Sequence, residues 1–222
     1  MKKLLVAICA LTMISGCSST MTPTRSTEQA FLIIDVKGDS SIRNTLLSSL
    51  IKTTQENMKR VSVDKGIPSS ILPETATRFE LVDPVTMNNG GMGALMAAQG
   101  MSMKVPKCNN PLLTMRSDTS TTNLDDSTTF FFCVVQYKTG YQIDIYSTFK
   151  QTTGGLSVNA ISKSIATSLL GDSSQLIPRT MKRIYETVKS VDESAVILDS
   201  YIPENWKGTF NDETNFVSTT GN

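Results

Sequence analysis

The sequence predicts an α+β fold, in which an antiparallel or mixed sheet carries helices packed on one face as a two-layer sandwich. Three observations lead to this prediction. The run Ala30–Gly38 is apolar, rich in branched residues and ends at glycine, as a buried strand often does. Residues 130–150 alternate in polarity around a turn dipeptide, which is typical of a β-hairpin. Segments with helical spacing of apolar residues lie before and after that hairpin.

The first helix is expected to follow the first strand directly. Residues 39–41 read DSS and supply candidates for its N-cap. The apolar positions that follow recur at near-helical spacing: Ile42, Leu46, Leu50 and Met58. A short second strand is expected around residues 79–82.

The hairpin at residues 130–150 allows a strand register to be predicted. Thr139 and Gly140 suit a two-residue turn, which would pair Phe130 with Phe149. The face that results is apolar except for Ser147, so it should pack on the helices. The opposite face is mixed in polarity.

Two more helices and a last strand are expected in the C-terminal part. One helix has its apolar stripe at Val158, Ile161, Ile165 and Leu169, before a candidate cap at Gly171. The other has its stripe at Ile177, Met181, Ile184, Val188 and Val191, with Pro178 in the first turn. Residues 195–199 are expected to form the last strand. Trp206 and Phe210 suggest that part of the polar tail docks on the domain.

The first 17 residues contain the three parts of an export signal. Lys2 and Lys3 form a short positive region. The mostly apolar run Leu4–Met13 is too short for a bilayer, which needs about 20 apolar residues. The last four residues are Ile14, Ser15, Gly16 and Cys17, which match a lipobox. The segment therefore resembles a bacterial lipoprotein signal peptide.

This resemblance implies that the chain is cut before Cys17 and that acyl chains such as palmitate are attached there. Two or three chains hold a protein stably on a membrane, because each buried methylene contributes about 0.8 kcal/mol. In that family the residue after the cysteine helps to set the destination, and Ser18 favours the outer membrane. We therefore expect a lipid-anchored protein of the outer membrane that faces the periplasm.

The expected organisation is a single domain behind a removable leader. Residues 1–16 form the signal peptide of this prediction, and 17–29 form the acylated cysteine with a flexible tether rich in Ser and Thr. Residues 30–202 form one α+β domain. A glycine- and methionine-rich excursion from the sheet is expected at about 84–127, and a polar tail at 203–222.

The cysteines predict a disulfide. With Cys9 removed and Cys17 acylated, Cys108 and Cys133 remain, and an exported pair in an oxidising compartment is usually bonded. The closed loop would contribute on the order of 3 kcal/mol in the chain-entropy model. Since Cys133 lies on the mixed face of the hairpin, the bond would tie the excursion over that face.

Composition and motifs argue against most enzyme and nucleic-acid classes. The chain has 21 basic and 20 acidic residues and no histidine, so we expect no nucleic-acid partner, no cofactor, no metal site and no histidine-dependent catalysis. The sequences KTG (138–140) and STFK (147–150) resemble motifs of penicillin-interacting serine enzymes. On an alternating strand, however, Ser147 and Lys150 point to opposite faces, so the lysine could not activate the serine.

Carboxylate pairs leave a hydrolase as a minor alternative. Asp35 and Asp144 lie on predicted strands and could face one another if those strands are neighbours. The more ordinary interpretation makes each of them an edge or outward-facing carboxylate. Asp125 and Asp126 lie in a Ser/Thr-rich stretch that predicts a solvated turn.

The methionine-rich segment is the candidate functional surface. Its apolar residues form a candidate contact patch at Met92, Leu95, Met96, Met101 and Met103. Thioether sulfur can bind Cu(I), but such sites usually recruit histidine or free cysteine as well. An adaptable surface that covers the sheet, contacts a partner or touches acyl chains is the better interpretation.

Two hypotheses of function result. The first is a non-enzymatic outer-membrane lipoprotein that binds an envelope protein partner and assists assembly or transport. The alternative is a lipid- or glycan-binding carrier in which residues 87–105 form a lid. In both, the membrane is a partner through the acyl groups on Cys17.

Overall fold

A computed structural model describes residues 24–83, 104–118, 127–153 and 176–203. The predicted signal peptide, Cys17 and the contact patch at residues 92–103 lie outside these ranges. The same is true of the predicted helix at 158–169, of Asp125 and Asp126, and of the tail from 204 onward. No helix of the described residues combines the length and apolarity needed to cross a membrane.

The described residues form eight strands and two helices. The strands are β1 (Thr24–Lys37), β2 (Val61–Lys65), β3 (Glu80–Val82), β4 (Val105–Lys107), β5 (Leu113–Asp118), β6 (Ser127–Tyr137), β7 (Gly140–Thr153) and β8 (Val196–Tyr201). The helices are α1 (Arg43–Asn57) and α2 (Leu176–Val191). Six strands form one sheet in the order β2-β5-β6-β7-β1-β8, and β3 pairs with β4 in a second, small sheet. Every pairing is antiparallel.

The helices pack against each other and against one face of the sheet, so the predicted α+β fold is confirmed. This first face carries alternate residues of β1, such as Leu32 and Ile34, whose side chains are fully buried. Leu46 and Leu50 of α1 and Ile184 of α2 join the same apolar cluster. Burial of each such side chain contributes about 2 kcal/mol, which makes this cluster the main source of stability.

Within the described residues, the opposite, second face is covered by the chain leading into β3 and by the small β3–β4 sheet, not by α1 or α2. We call residues 73–83, which lead into and include β3, the covering segment. Its Ala76, Phe79 and Leu81 pack on a small buried cluster of the sheet. One end is fixed at the β6–β7 turn, where the Lys138 amide donates a 2.9 Å hydrogen bond to the Pro73 carbonyl oxygen.

The β6–β7 register differs from the prediction by two residues. Tyr137 pairs with Gly140 and Phe130 with Ser147, so the turn residues are Lys138 and Thr139. Gly140 is the first residue of β7, and a side chain there would clash, since an added Cβ would lie 2.3 Å from the Val36 carbonyl oxygen. A shift of two keeps every side chain on its predicted face but changes its partner.

Three strands also differ from the sequence predictions. β1 begins at Thr24, inside the segment expected to be a tether, and pairs with β7 from that residue on. β5 is an inner strand of the main sheet, although residues 84–127 were expected to leave the sheet for the most part. β2, which no pattern in the sequence analysis predicted, forms one edge of the sheet.

Candidate functional site

The second face contains the disulfide that the cysteines predict. Cys108 follows β4 and is bonded to Cys133 on β6, and 25 positions separate the two residues. The bond therefore fixes the small β3–β4 sheet, and with it the covering segment, to the second face. Residues 84–103, between β3 and β4, lie outside the described residues.

Asp144 lies beside this disulfide. The register places Asp144 on β7 directly opposite Cys133 on β6. A carboxylate oxygen of Asp144 and the two sulfur atoms all lie within 4.8 Å of one another. Cys133 is fully buried, Asp144 is 1% exposed, and Cys108 is partly exposed.

The Asp144 carboxylate also holds the covering segment. One oxygen accepts a 2.7 Å hydrogen bond from the Phe79 amide, and the other accepts a 2.8 Å bond from the Gln142 side chain. Burial raises the pKa of Asp144 to about 6, although these two hydrogen bonds and the positive charge of Arg78 oppose the shift. Asp144 thus changes its charge near neutral pH while it supports the segment above it.

A row of aromatic rings connects the covering segment to β8. Phe79 contacts Tyr146 and Phe31, with ring centroids 5.4 Å and 6.3 Å apart, and Phe31 stacks on Tyr201 at 6.1 Å. An ion pair also connects the covering segment to β8: the Arg78 guanidinium lies 2.8 Å from the Asp199 carboxylate. β8 therefore contacts the covering segment directly through Asp199, and indirectly through Phe31 of β1.

The second buried carboxylate, Asp35, belongs to a separate polar network. The Tyr137 hydroxyl donates a 2.5 Å hydrogen bond to Asp35 and accepts a 2.6 Å bond from the Lys37 ammonium group. The ammonium group lies 2.8 Å from the other Asp35 oxygen. The hydrogen bond to Asp35, with the one to Tyr137, raises the pKa of Lys37 above its usual range. This network joins the end of β1 to the end of β6.

The position of the two carboxylates corrects one sequence interpretation. β1 and β7 are neighbours, and Asp35 pairs with Gln142, two residues from Asp144 on the same face. Both carboxylates are buried and hydrogen-bonded, not outward-facing as the more ordinary interpretation had it. A hydrolase that uses this pair stays an untested hypothesis.

The two edges of the main sheet differ in their exposed surface. On β8, Val196 is 49% exposed, Leu198 55% and Tyr201 45%. Leu198 lies at a β-bulge, where β8 has one residue more than the opposite β1. On β2, Val61 and Val63 are half-buried against the first-face cluster, whereas the exposed residues are polar or charged.

Sequence reasoning found the disulfide but not the β8 edge. The apolar run in residues 195–199 predicts a strand, but no local pattern shows that this strand lies at an edge of the described sheet. The predicted patch at Met92, Leu95, Met96, Met101 and Met103, the Cu(I) alternative and the lid at residues 87–105 depend on residues 84–103. Those hypotheses, and the acylation of Cys17, remain predictions.

Comparison with known proteins gives no relative from which a role could be taken. No protein-family model, curated protein or solved structure matches this chain. Geometry alone defines the candidate site, which consists of the β8 edge (Val196, Leu198, Tyr201 and the backbone between them) and the covering segment beside it.

Proposed function

We propose that this chain is a non-enzymatic, lipid-anchored protein of the bacterial outer membrane that binds an extended segment of another envelope protein along the β8 edge. The observation that carries the proposal is the exposed apolar edge strand. Such edges recruit a further strand through their backbone groups, and natural proteins protect them with charged residues, prolines, β-bulges or a covering segment. β8 has one of these devices, the bulge at Leu198. Here Val196, Leu198 and Tyr201 leave the edge apolar.

The chemistry of the edge defines the chemistry of the partner. The added segment must be extended, so that its backbone can pair with the outward groups of β8. Its alternate side chains must be apolar to cover Val196 and Tyr201 on the second-face side. The only charged residue of β8 is Asp199, which already pairs with Arg78, so the edge offers little to a strongly charged segment.

The predicted anchor supports a partner at the membrane. Thr24, the first residue of β1, lies seven positions after Cys17. Seven residues span about 25 Å at most when fully extended. If Cys17 is acylated, the domain stays within this distance of the lipid, and its partner is an envelope protein with a segment at the membrane surface.

Site-specific photo-crosslinking tests this proposal. A photoreactive amino acid replaces Leu198 in the full chain in its own envelope, and a matched protein carries it at Ser62, an exposed position on β2. The proposal predicts an adduct with one defined envelope protein from position 198, absent from position 62 and lost when Val196→Lys is added.

Three results would contradict the proposal. An adduct that contains two copies of this chain would make the edge a homodimer interface. An internal crosslink from residue 198 to residues 204–222 would show that the tail of the chain covers the edge. Equal adducts from positions 198 and 62 would show that β8 has no special role.

A further inference from the structure

A buried acid, Asp144, lies beside the Cys108–Cys133 disulfide, and a disulfide that serves only as a crosslink does not need one. A staple requires only two cysteines at suitable distance. Here Asp144 lies directly opposite Cys133, with its carboxylate within 4.8 Å of both sulfur atoms. The two sulfurs differ in access, because Cys133 is fully buried and Cys108 is partly exposed.

Closing this bond requires the removal of a proton from a buried thiol. An oxidant with a disulfide, such as oxidised glutathione or a disulfide-carrying oxidoreductase, first forms a mixed disulfide with the accessible Cys108. Cys133 must then attack the Cys108 sulfur as a thiolate. Burial in apolar surroundings disfavours that thiolate, so a proton acceptor next to it accelerates the step.

We propose that Asp144 accepts the Cys133 proton when the Cys108–Cys133 bond closes and returns it when the bond opens, so that the disulfide is a pH-gated redox centre. When the mixed disulfide forms, the oxidant's sulfur–sulfur bond breaks and its first half leaves as a thiolate. In closure, the Cys133 sulfur forms its bond to the Cys108 sulfur, the bond from Cys108 to the second half of the oxidant breaks, and that half leaves as a thiolate; water protonates both leaving groups, so the oxidant gains two electrons in all. In opening, a reductant attacks Cys108, and the Cys133 sulfur leaves with the Asp144 proton.

The neighbouring groups allow this role. The Phe79 amide and the Gln142 side chain hold the carboxylate in place by hydrogen bonds. The charged group that acts on it is Arg78 on the covering segment. Tyr146 lies two positions away on the same face of β7, and Asp35 on β1 pairs with the neighbouring Gln142. Arg78 favours the ionised form, but burial dominates and places the pKa of Asp144 at about 6.

The direction of the pH effect follows from charge. Below pH 6 Asp144 is protonated and can give its proton to the departing Cys133 sulfur. Above pH 6 the carboxylate is negative, and a thiolate that formed beside it in a buried site would be repelled. The rate of opening is therefore expected to fall as pH rises through 6. The rate of closure is expected to rise, because the ionised Asp144 can accept the Cys133 proton.

The rate of opening by a water-soluble phosphine tests the proposal between pH 5 and 8. Each rate is divided by the rate for oxidised glutathione at the same pH, which removes the titration of the phosphine. The folded protein should open about tenfold faster at pH 5 than at pH 8 after this correction, a modest effect for acid–base catalysis. Asp144→Asn should show no such step, and Asp35→Asn, which removes the other buried acid of this face, should behave like the unmodified protein.

A pH profile that is the same in the unmodified protein and Asp144→Asn would overturn the proposal, and so would a step that Asp35→Asn also removes.

If Asp144→Asn does not fold, the titration of the Asp144 carboxyl carbon by NMR decides the question in the unmodified protein. We expect its midpoint to lie near pH 6 in the disulfide form and to change on reduction. An identical titration in both forms would contradict the proposal. These outcomes concern the protein interior and do not depend on the β8 partner.

Discussion

The two edges of the main sheet are built from the same kind of short strand, but they differ in what supports them. β2 packs its valines on the helix-covered first face, and its exposed residues are polar or charged. β8 exposes Val196, Leu198 and Tyr201. Its Asp199 pairs with Arg78 of the covering segment. Its Tyr201 stacks on Phe31 of β1, which in turn contacts Phe79 of that segment. Both edges therefore contact the main core, β8 through Ile197, but β8 also depends on a segment that a disulfide and one buried carboxylate hold in place.

The largest expected effect follows from removing the disulfide. Replacing both Cys108 and Cys133 by serine should lower the free energy of unfolding by about 3 kcal/mol, because the unfolded chain loses a closed loop. Urea denaturation measures the loss. Hydrogen exchange should rise in residues 76–83 and 196–201 but stay unchanged in β2. A uniform rise across both edges would contradict the distinction between them.

The pH dependence of stability is the next largest effect. The folded pKa of Asp144, about 6, lies above its ordinary value of 3.8, so the folded protein binds this proton more tightly than the unfolded chain. The contribution to stability is complete below pH 3.8 and is lost as pH rises through 6, up to about 3 kcal/mol for a shift of this size.

Urea denaturation at pH 4.5 and pH 7.5 measures this contribution by comparison with Asp144→Asn, which cannot ionise. The unmodified protein should lose stability relative to the variant between these two values. A constant difference between the two proteins would show that Asp144 is not held with a raised pKa.

Truncation of the aromatic contact at β8 should have a smaller effect. Tyr201→Ala removes the stacking on Phe31 and half-buried area, which should cost about 1–2 kcal/mol. Hydrogen exchange should increase in β8 and in the covering segment together. Val63→Ala on β2 is the matched change at the other edge, and its effect should stay within β2 and its neighbour β5. Spread of the Tyr201→Ala effect to β2 would contradict this separation.

The smallest effect on stability is expected for the residue placed at the centre of the proposed interface. Leu198→Lys should change the free energy of unfolding by no more than about 0.5 kcal/mol, since the side chain is largely exposed. Ser62→Lys adds the same charge to β2 and should be equally neutral. A large loss of stability in Leu198→Lys would mean that Leu198 supports the fold, which would weaken its assignment to a binding surface.

The fold could be predicted to the extent that it follows from local patterns. The apolar stripes of α1 and α2 and the alternation of β6 and β7 each indicate one element and its buried face. The hairpin register was wrong because the turn rule assigns Gly140 to the turn, whereas close approach of the Val36 carbonyl oxygen requires glycine in the strand.

The candidate site could be predicted only in part, because most of it depends on contacts between distant segments. The cysteine count indicated the disulfide, and the parity of β6 placed Cys133 on the second face. The shifted register, however, is what puts Asp144 opposite Cys133. The position of β8 at an edge, and its contacts with Arg78 and Phe31, follow from strand order, which no local pattern specifies.

The central claim is that a partner adds a strand to β8, and hydrogen exchange of the crosslinked complex tests it most directly. The adduct formed from position 198 is purified from envelopes and compared with the free protein, peptide by peptide. Strand addition predicts slower exchange in residues 196–201, because outward amides of β8 become hydrogen-bonded, and no change in residues 61–65. Unchanged exchange in β8, or protection of β2 instead, would contradict the account.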